Sequence, residues 1–190
     1  HMIITGPAVI KSVTGEEVSM EELGGSKVHS QVTGTAHFVA ENDEDCLRLI
    51  KKLLGYLPAS NEEEPPVVPG TDDPERTDAS LEEIVPADFR KAYDMREVIV
   101  RVIDQGDFFE ILPKFAKNII IGFGRLEGRT VGLVANQPKI WAGSLDSDSA
   151  DKAARFIRFC DSFNIPLLNF VDVPGYLPGV KQEHSGIIRH

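Results

Sequence analysis

Residues 58–92 interrupt the chain. Six of its twelve prolines fall there (Pro58, Pro65, Pro66, Pro69, Pro74 and Pro86), and residues 57–92 hold ten acidic side chains against three basic ones. Each proline removes a backbone donor and biases the residue before it toward extended geometry, so no long helix or inner strand can run through. A structureless loop of this length is uncommon inside one compact unit. The pattern predicts two partial units, 1–57 and 93–190, joined by an acidic, solvated linker over 58–92. A chain of 190 residues with 42% hydrophobic content can bury a core on either side.

Charge is uneven in the same way. Of the net −10, residues 57–92 carry −7, residues 1–56 carry −3 and residues 93–190 carry zero. A phosphate-backbone binder needs a basic stripe to displace counterions, and none is visible, so nucleic acid is not an expected partner. No apolar run approaches the roughly 20 residues of a membrane span, and no signal-peptide pattern occurs. The chain therefore reads as soluble and intracellular. Cys46 and Cys160 lie far apart inside apolar helical patterns and read as core thiols of a reducing compartment. His29 and His37 flank a Gly/Thr segment without a third ligand, so no metal site is expected.

Local signals place the elements. Pro7–Val13 reads as a short helix stopped by Gly15, and Ser19 with Glu22 forms a capping box that opens a second. Residues 29–40, rich in Gly, Thr and Ser, resist assignment. Glu44–Leu54 is an amphipathic helix capped by Asn42, with Leu47, Ile50 and Leu54 at helical spacing. Beyond the linker, Asp94 and Glu97 suggest another capping box, and Gly106 ends that helix. Ile119–Arg125 and Thr130–Ala135 predict a hairpin turning at Glu127-Gly128. A helix over about 150–163 with Ala153, Phe156, Ile157, Cys160 and Phe163 on its apolar side leads to a buried strand, Leu167–Asp172. A Gly/Pro loop follows, and a last helix is expected to begin at Gly186. Hairpin, helix, strand and loop in this order give an α/β layout of ββα type, with helices packed on a sheet.

The loop from Asp172 to Gly186 is the strongest candidate for chemistry. Loops beyond the carboxyl ends of strands collect ligands in such folds. Gly175 and Gly179 can take positive φ or admit a ligand to the backbone, and a helix starting near Gly186 would offer free amide donors to an anion or carbonyl oxygen. A Pro/Gly turn that merely joins strand to helix explains the same residues equally well. Asp172, Glu183 and His184 are the nearby ionisable groups. Arg155 and Arg158, at i and i+3, suit a phosphate or a solvated helix face. Trp141, in VANQPKIWAGSLD (134–146), suits a ring contact or a packing role.

Several long stretches resemble one family. They are TGPAVIKSVTGEEVSMEELGG (5–25), AYDMREVI (92–99), GDFFEILPKFAKNIIIGFGRLEGRTVGLVANQP (106–138), DKAARFIRFCDSFNIPLLNFVDVPGYLPGV (151–180) and QEHSGIIRH (182–190). Together they resemble the carboxyltransferase subunits of biotin-dependent acyl-CoA carboxylases, of the propionyl-CoA carboxylase type. The resemblance implies a crotonase-like ββα fold in two halves, with 1–57 ending the first and 93–190 opening the second. It implies carboxyl transfer from carboxybiotin to an acyl-CoA, giving a malonyl-type CoA, with backbone amides holding the enolate and ureido oxygens. The decarboxylase and transcarboxylase members run related transfers, and a non-catalytic assembly fragment is the alternative of another class.

By that resemblance, Asp172, Pro174, Gly175, Tyr176, Gly179, Gln182, Glu183 and Gly186 line the biotin side. Phe115, Ala116, Lys117, Asn118, Ile119 and Gly122 fall in the acyl-CoA region. Expected cofactors are biotin carried on a carrier domain and a coenzyme A thioester as substrate. Expected partners are a biotin carboxylase or carrier subunit and further copies of the chain, hexameric in the family, in the cytoplasm or a mitochondrial matrix. Tyr176 stands where the family usually has Phe, and Ser144 where Cys is common. The family's two Gly-rich oxyanion peptides are expected before His1 and after His190, and catalytic residues are not assigned within the chain.

Overall fold

The computed structural model describes residues 1–190 apart from Thr71 and Phe89. The N-terminal third is helical: α1 (Pro7–Thr14), α2 (Met20–Gly24), α3 (Ser26–Gln31) and α4 (Asp43–Leu54). Gly15 ends α1 at φ 79, and the Ser19–Glu22 capping box opens α2 as expected. Helix α3 runs into the start of the unassigned stretch 29–40. Asn42 caps α4 by accepting from the Asp45 amide at 2.9 Å. The packed face of α4 differs from the expected one. Leu49, Leu53 and Tyr56 turn inward, while Leu47, Ile50, Leu54 and Cys46 are exposed. The helix is apolar on two sides, and only contact with the sheet selects between them.

Four strands follow: β1 (Phe109–Ile111), β2 (Ile119–Leu126), β3 (Arg129–Asn136) and β4 (Leu167–Phe170), ordered β1-β2-β3-β4. The first two pairings are antiparallel and β3/β4 is parallel. Glu127 and Gly128 form the two-residue hairpin turn, both at positive φ (50 and 76), the geometry that matches strand twist. The parallel pairing requires a crossover, supplied by α7 (Ser147–Ser162). Helix α6 (Met95–Val102) covers the opposite sheet face. The central strand β2 is thus sandwiched. Ile121 and Phe123 pack toward α7 with Phe156 and Cys160, while Ile120 packs toward α6 with Ile99 and Ile103. Burial on both faces explains the unbroken apolar run of β2.

Several expectations are corrected. The Asp94 side chain accepts from the Arg96 amide rather than forming a reciprocal box with Glu97, because Arg96 draws Asp94 and Glu110 together. Helix α6 stops at Val102, and Gly106 closes a separate 3-10 turn. The buried stripe of α7 is Ser149, Lys152, Phe156 and Cys160, with Ile157 exposed. Strand β4 is half exposed, since it pairs on one side alone among the described residues. The last helix, α8, spans Val180–Ser185, and Gly186 at φ 82 ends it rather than starting it. The chain needs a left-handed residue to leave the helix, and glycine reaches that region without strain.

Within 58–92 the described residues are mostly exposed, yet two of them anchor to the hairpin turn and to the end of α6. The Val68 amide donates to Gly128 O at 3.0 Å, and the Arg76 guanidinium donates to the carbonyls of Arg101, Val102 and Ile103 at 2.7–3.0 Å. Those carbonyls are the orphan acceptors at the end of α6. The short helix α5 (Leu81–Ile84) lies near α6, where Arg101 Nε donates to Ser80 Oγ at 2.7 Å. Tyr56 stacks on Phe109 and Phe123, so residues either side of the segment share one aromatic cluster.

Candidate functional site

Strand directions bring three loops to one end of the sheet. β2 runs antiparallel to β3, so its beginning lies beside the end of β3. β3 runs parallel to β4, so both finish together. Segments 112–118, 137–146 and 171–179 therefore converge with the N-terminus of α7. The middle segment ties the other two. Asn118 Nδ2 donates to Ser144 O at 2.8 Å and to Asp146 Oδ1 at 3.1 Å. On the other side, the Leu145 amide donates to Gly175 O at 3.0 Å and the Leu177 amide to Leu145 O at 2.8 Å. Asn136 bridges as well, donating to Gly143 O at 3.2 Å and accepting from the Asp172 amide at 3.3 Å.

The loop after β4 keeps most of its expected residues accessible. Asp172, Pro174, Tyr176, Gly179 and Glu183 are exposed, and Gly175, Gln182 and Gly186 are partly so. Gly175 and Gly179 have φ of 147 and 139, and open space surrounds the position of a Cβ at each. Backbone approach from solvent is therefore unobstructed there. Tyr93 Oη donates to Asp172 Oδ2 at 2.7 Å, and burial with this carboxylate holds the Tyr93 phenol well above its usual range. Gln182 Oε1 accepts from the Ser147 amide at 3.3 Å, and Ser185 and Ser147 share a 2.7 Å hydroxyl contact, docking α8 on the start of α7. His184 is exposed, and Trp141 is 56% exposed with its ring free of aromatic neighbours among the described residues.

The 115–122 group divides. Phe115 and Ala116 are half-buried and Lys117 is exposed, whereas Asn118, Ile119 and Gly122 are buried. Asn118 braces the loops, Ile119 is core, and Gly122 lies against Phe109 O and the Phe108 ring with no room for a Cβ. Leu112 and Ala116 stand at positive φ (53 and 41), an arrangement that costs about 1–3 kcal/mol per non-glycine residue and must be held by surroundings. Phe115 lines a cavity of about 510 Å³ with Phe38, Leu53, Ile121, Phe156 and Phe159, and Arg155, His37 and Asp151 also line it. Burial and the Arg155 charge push the His37 imidazole below its usual range. Arg158 is exposed.

Sequence reasoning missed two groups. Tyr93 and Asn136 position Asp172, and nothing in their local sequence marks them. Lys152 was legible: at i−4 from Phe156 and i−8 from Cys160 it falls on the buried stripe of α7. Its ammonium reaches four backbone carbonyls, those of Leu112, Phe115, Ala116 and Ile119, at 2.7–3.3 Å. Burial pulls its pKa down to about 7, with Glu110 acting to raise it, and the carbonyl dipoles favour the charged form.

The carboxyl transferase domain model matches residues 1–190. The carboxyltransferase subunit of propionyl-CoA carboxylase from Haloferax mediterranei is 59% identical over all of this chain and 37% of its own length. The alpha subunit of methylmalonyl-CoA decarboxylase from Veillonella parvula is 56% identical over the same shares, 100% and 37%. A solved transcarboxylase 12S, described as a hexamer assembly with hydrolysed methylmalonyl-coenzyme A bound, superposes with TM-score 0.97 at 52% identity, covering 100% of this chain and 38% of that one. The chain thus spans a little over a third of the length of the curated relatives it matches. The α/β fold is crotonase-like, as expected from the sequence. By a family match over its whole length, the chain belongs to the carboxyl transferase domain family.

Proposed function

We propose that the protein carries out biotin-dependent carboxyl transfer, moving a carboxyl group from carboxybiotin to an acyl-CoA, propionyl-CoA in the first instance, as part of a longer subunit. The observation that carries this is the 59% identity, over the whole chain, to the carboxyltransferase subunit of propionyl-CoA carboxylase. In this reading 1–57 closes one crotonase-like unit, 58–92 joins, and 93–190 opens the next. The loop with Asp172, Pro174, Gly175, Tyr176, Gly179, Gln182, Glu183 and Gly186 lines the biotin side. The 115–122 stretch lies on the acyl-CoA side. The fit rests on the open space at Gly175 and Gly179, where a flat ureido ring can meet backbone directly, and on exposed Tyr176 beside them. Carboxybiotin supplies a carboxyl group activated on a ureido nitrogen. The chain's own residues orient: Tyr93 and Asn136 hold Asp172, and the Leu145 backbone pins the loop through Gly175 and Leu177.

A second reading is supported by the 56% identity to a methylmalonyl-CoA decarboxylase subunit. There the transfer runs from a malonyl-type CoA to biotin. The proposed partners are a biotin carboxylase or carrier protein and further copies of the subunit in a hexamer, in the cytoplasm or a mitochondrial matrix. The test uses the full subunit with its biotin carboxylase and biotinylated carrier. ATP-dependent incorporation of labelled bicarbonate into propionyl-CoA supports the carboxylase reading. Loss of the carboxyl group from methylmalonyl-CoA without ATP-driven incorporation supports the decarboxylase, and neither activity removes both.

A further inference from the structure

We infer that Lys152 is a positioning residue for the acyl-CoA side, holding the loop 112–118 in its working shape by wrapping it around one buried ammonium. The inference rests on the assignment of 115–122 to the acyl-CoA side made above.

The geometry is that of a cation cradle built from main chain. Lys152 is 2% exposed and reaches the loop from α7. Its Nζ lies 3.0 Å from Leu112 O, 2.7 Å from Phe115 O, 3.3 Å from Ala116 O and 2.8 Å from Ile119 O. An ammonium has three protons, so four convergent acceptors saturate it and leave no donor for anything else. A lysine that served only to fill α7's buried stripe would need one partner, and an apolar side chain would serve that stripe better.

The loop's backbone shows why such a centre is required. Leu112 and Ala116 both have left-handed φ, and their carbonyls are two of the four acceptors. Turning four carbonyls toward one point fixes the direction of each intervening side chain, Asn118 inward and the two lysines outward. Lys114 and Lys117 consequently face solvent, and Phe115 lines the large cavity against Gly34, where a Cβ would come within 2.5 Å of the ring. Two exposed cations three residues apart beside an aromatic ring suit the phosphates of a CoA thioester. Asn118, clamped to Ser144 O and Asp146 Oδ1, then transmits the loop's position to the 137–146 segment, whose Leu145 amide holds Gly175 O.

The test is Lys152→Met in the full subunit, with KM and kcat for acyl-CoA, amide exchange over 113–118, and melting temperature. A core variant on the opposite sheet face, Ile99→Val, serves as the stability control. The expected result is a rise of at least tenfold in KM for acyl-CoA, kcat within threefold, faster exchange confined to 113–118, and a control with KM unchanged. Lys152→Gln, which keeps two donors, is expected to fall between wild type and Lys152→Met, and it stands in if the Met variant does not fold. Unchanged loop exchange with unchanged KM overturns the positioning role while leaving the loop assignment intact. A loosened loop with unchanged KM overturns the loop assignment and the inference with it. Equal movement of KM in the control reduces Lys152 to a structural residue and also overturns the inference.

Discussion

Tyr56 joins the residues before the linker to those after it, and its removal should be felt by both. The side chain is 1% exposed, with ring centroids 5.9 Å from Phe109 and 5.6 Å from Phe123. The Arg125 guanidinium lies 4.3 Å from its ring centroid, and its hydroxyl donates to Asp107 at 3.2 Å. Tyr56→Ala opens a cavity between aromatic rings and is expected to cost about 3–5 kcal/mol. Tyr56→Phe removes the hydroxyl contact alone and should cost about 0.5–1.5 kcal/mol at neutral pH. Burial first, then the Asp107 charge, push the phenol from 10.0 up to about 12. A raised acid pKa contributes stability that is complete below the unfolded value and is lost as pH rises through the folded one. The displacement corresponds to about 2–3 kcal/mol, present below pH 10 and gone above pH 12. Tyr56→Phe lacks this dependence, so the two stability curves should cross within that window. The assay is guanidinium unfolding of wild type and both variants at neutral pH, and of wild type and Tyr56→Phe from pH 9 to 12. A Tyr56→Ala cost below about 1 kcal/mol would show that the two parts do not share a core. Parallel curves with no crossing would refute the buried-phenol argument.

Three further outcomes are expected. A glutamate-specific protease should cut first after Glu62 or Glu63, exposed residues that precede the anchors at Val68 and Arg76; an earlier cut after Glu97 in α6 would refute the exposed-linker argument. Alkylation of the native protein should label Cys46 and spare Cys160, whose thiol burial pushes up to about 12, as read by peptide mass; labelling of Cys160 at a similar rate would mean that α7 opens readily. In the full subunit, Gly175→Val should depress transfer far more than melting temperature. Its φ of 147 resists a branched side chain at a local cost of about 1–3 kcal/mol, yet no atom stands in the way, so unimpaired transfer would dissociate this loop from the biotin side.

Local signals determined much of this protein. Gly15 and the Ser19–Glu22 box set the first helices, Glu127-Gly128 set the hairpin turn, and the apolar residues around it marked β2 and β3 as its strands. These readings held because each depends on backbone geometry within a few residues. Long matching segments carried the family in the same way, and Gly175 and Gly179 took the positive φ that their sequence allowed. What a residue faces was a different matter. Leu47, Ile50 and Cys46 look as apolar as Leu49 and Leu53, and only the position of the sheet decides which side of α4 is covered. Gly186 carries the same permission to begin or to end a helix, and α8 settled it. The acidic linker was legible as a break, but its docking depends on orphan carbonyls of α6 that Arg76 finds only after folding. Lys152, Tyr93 and Asn136 acquire their roles from hydrogen-bond partners 33 to 79 residues away in sequence. Such roles arise where strand directions bring chain ends together, because contact at that separation is a property of topology and not of local pattern.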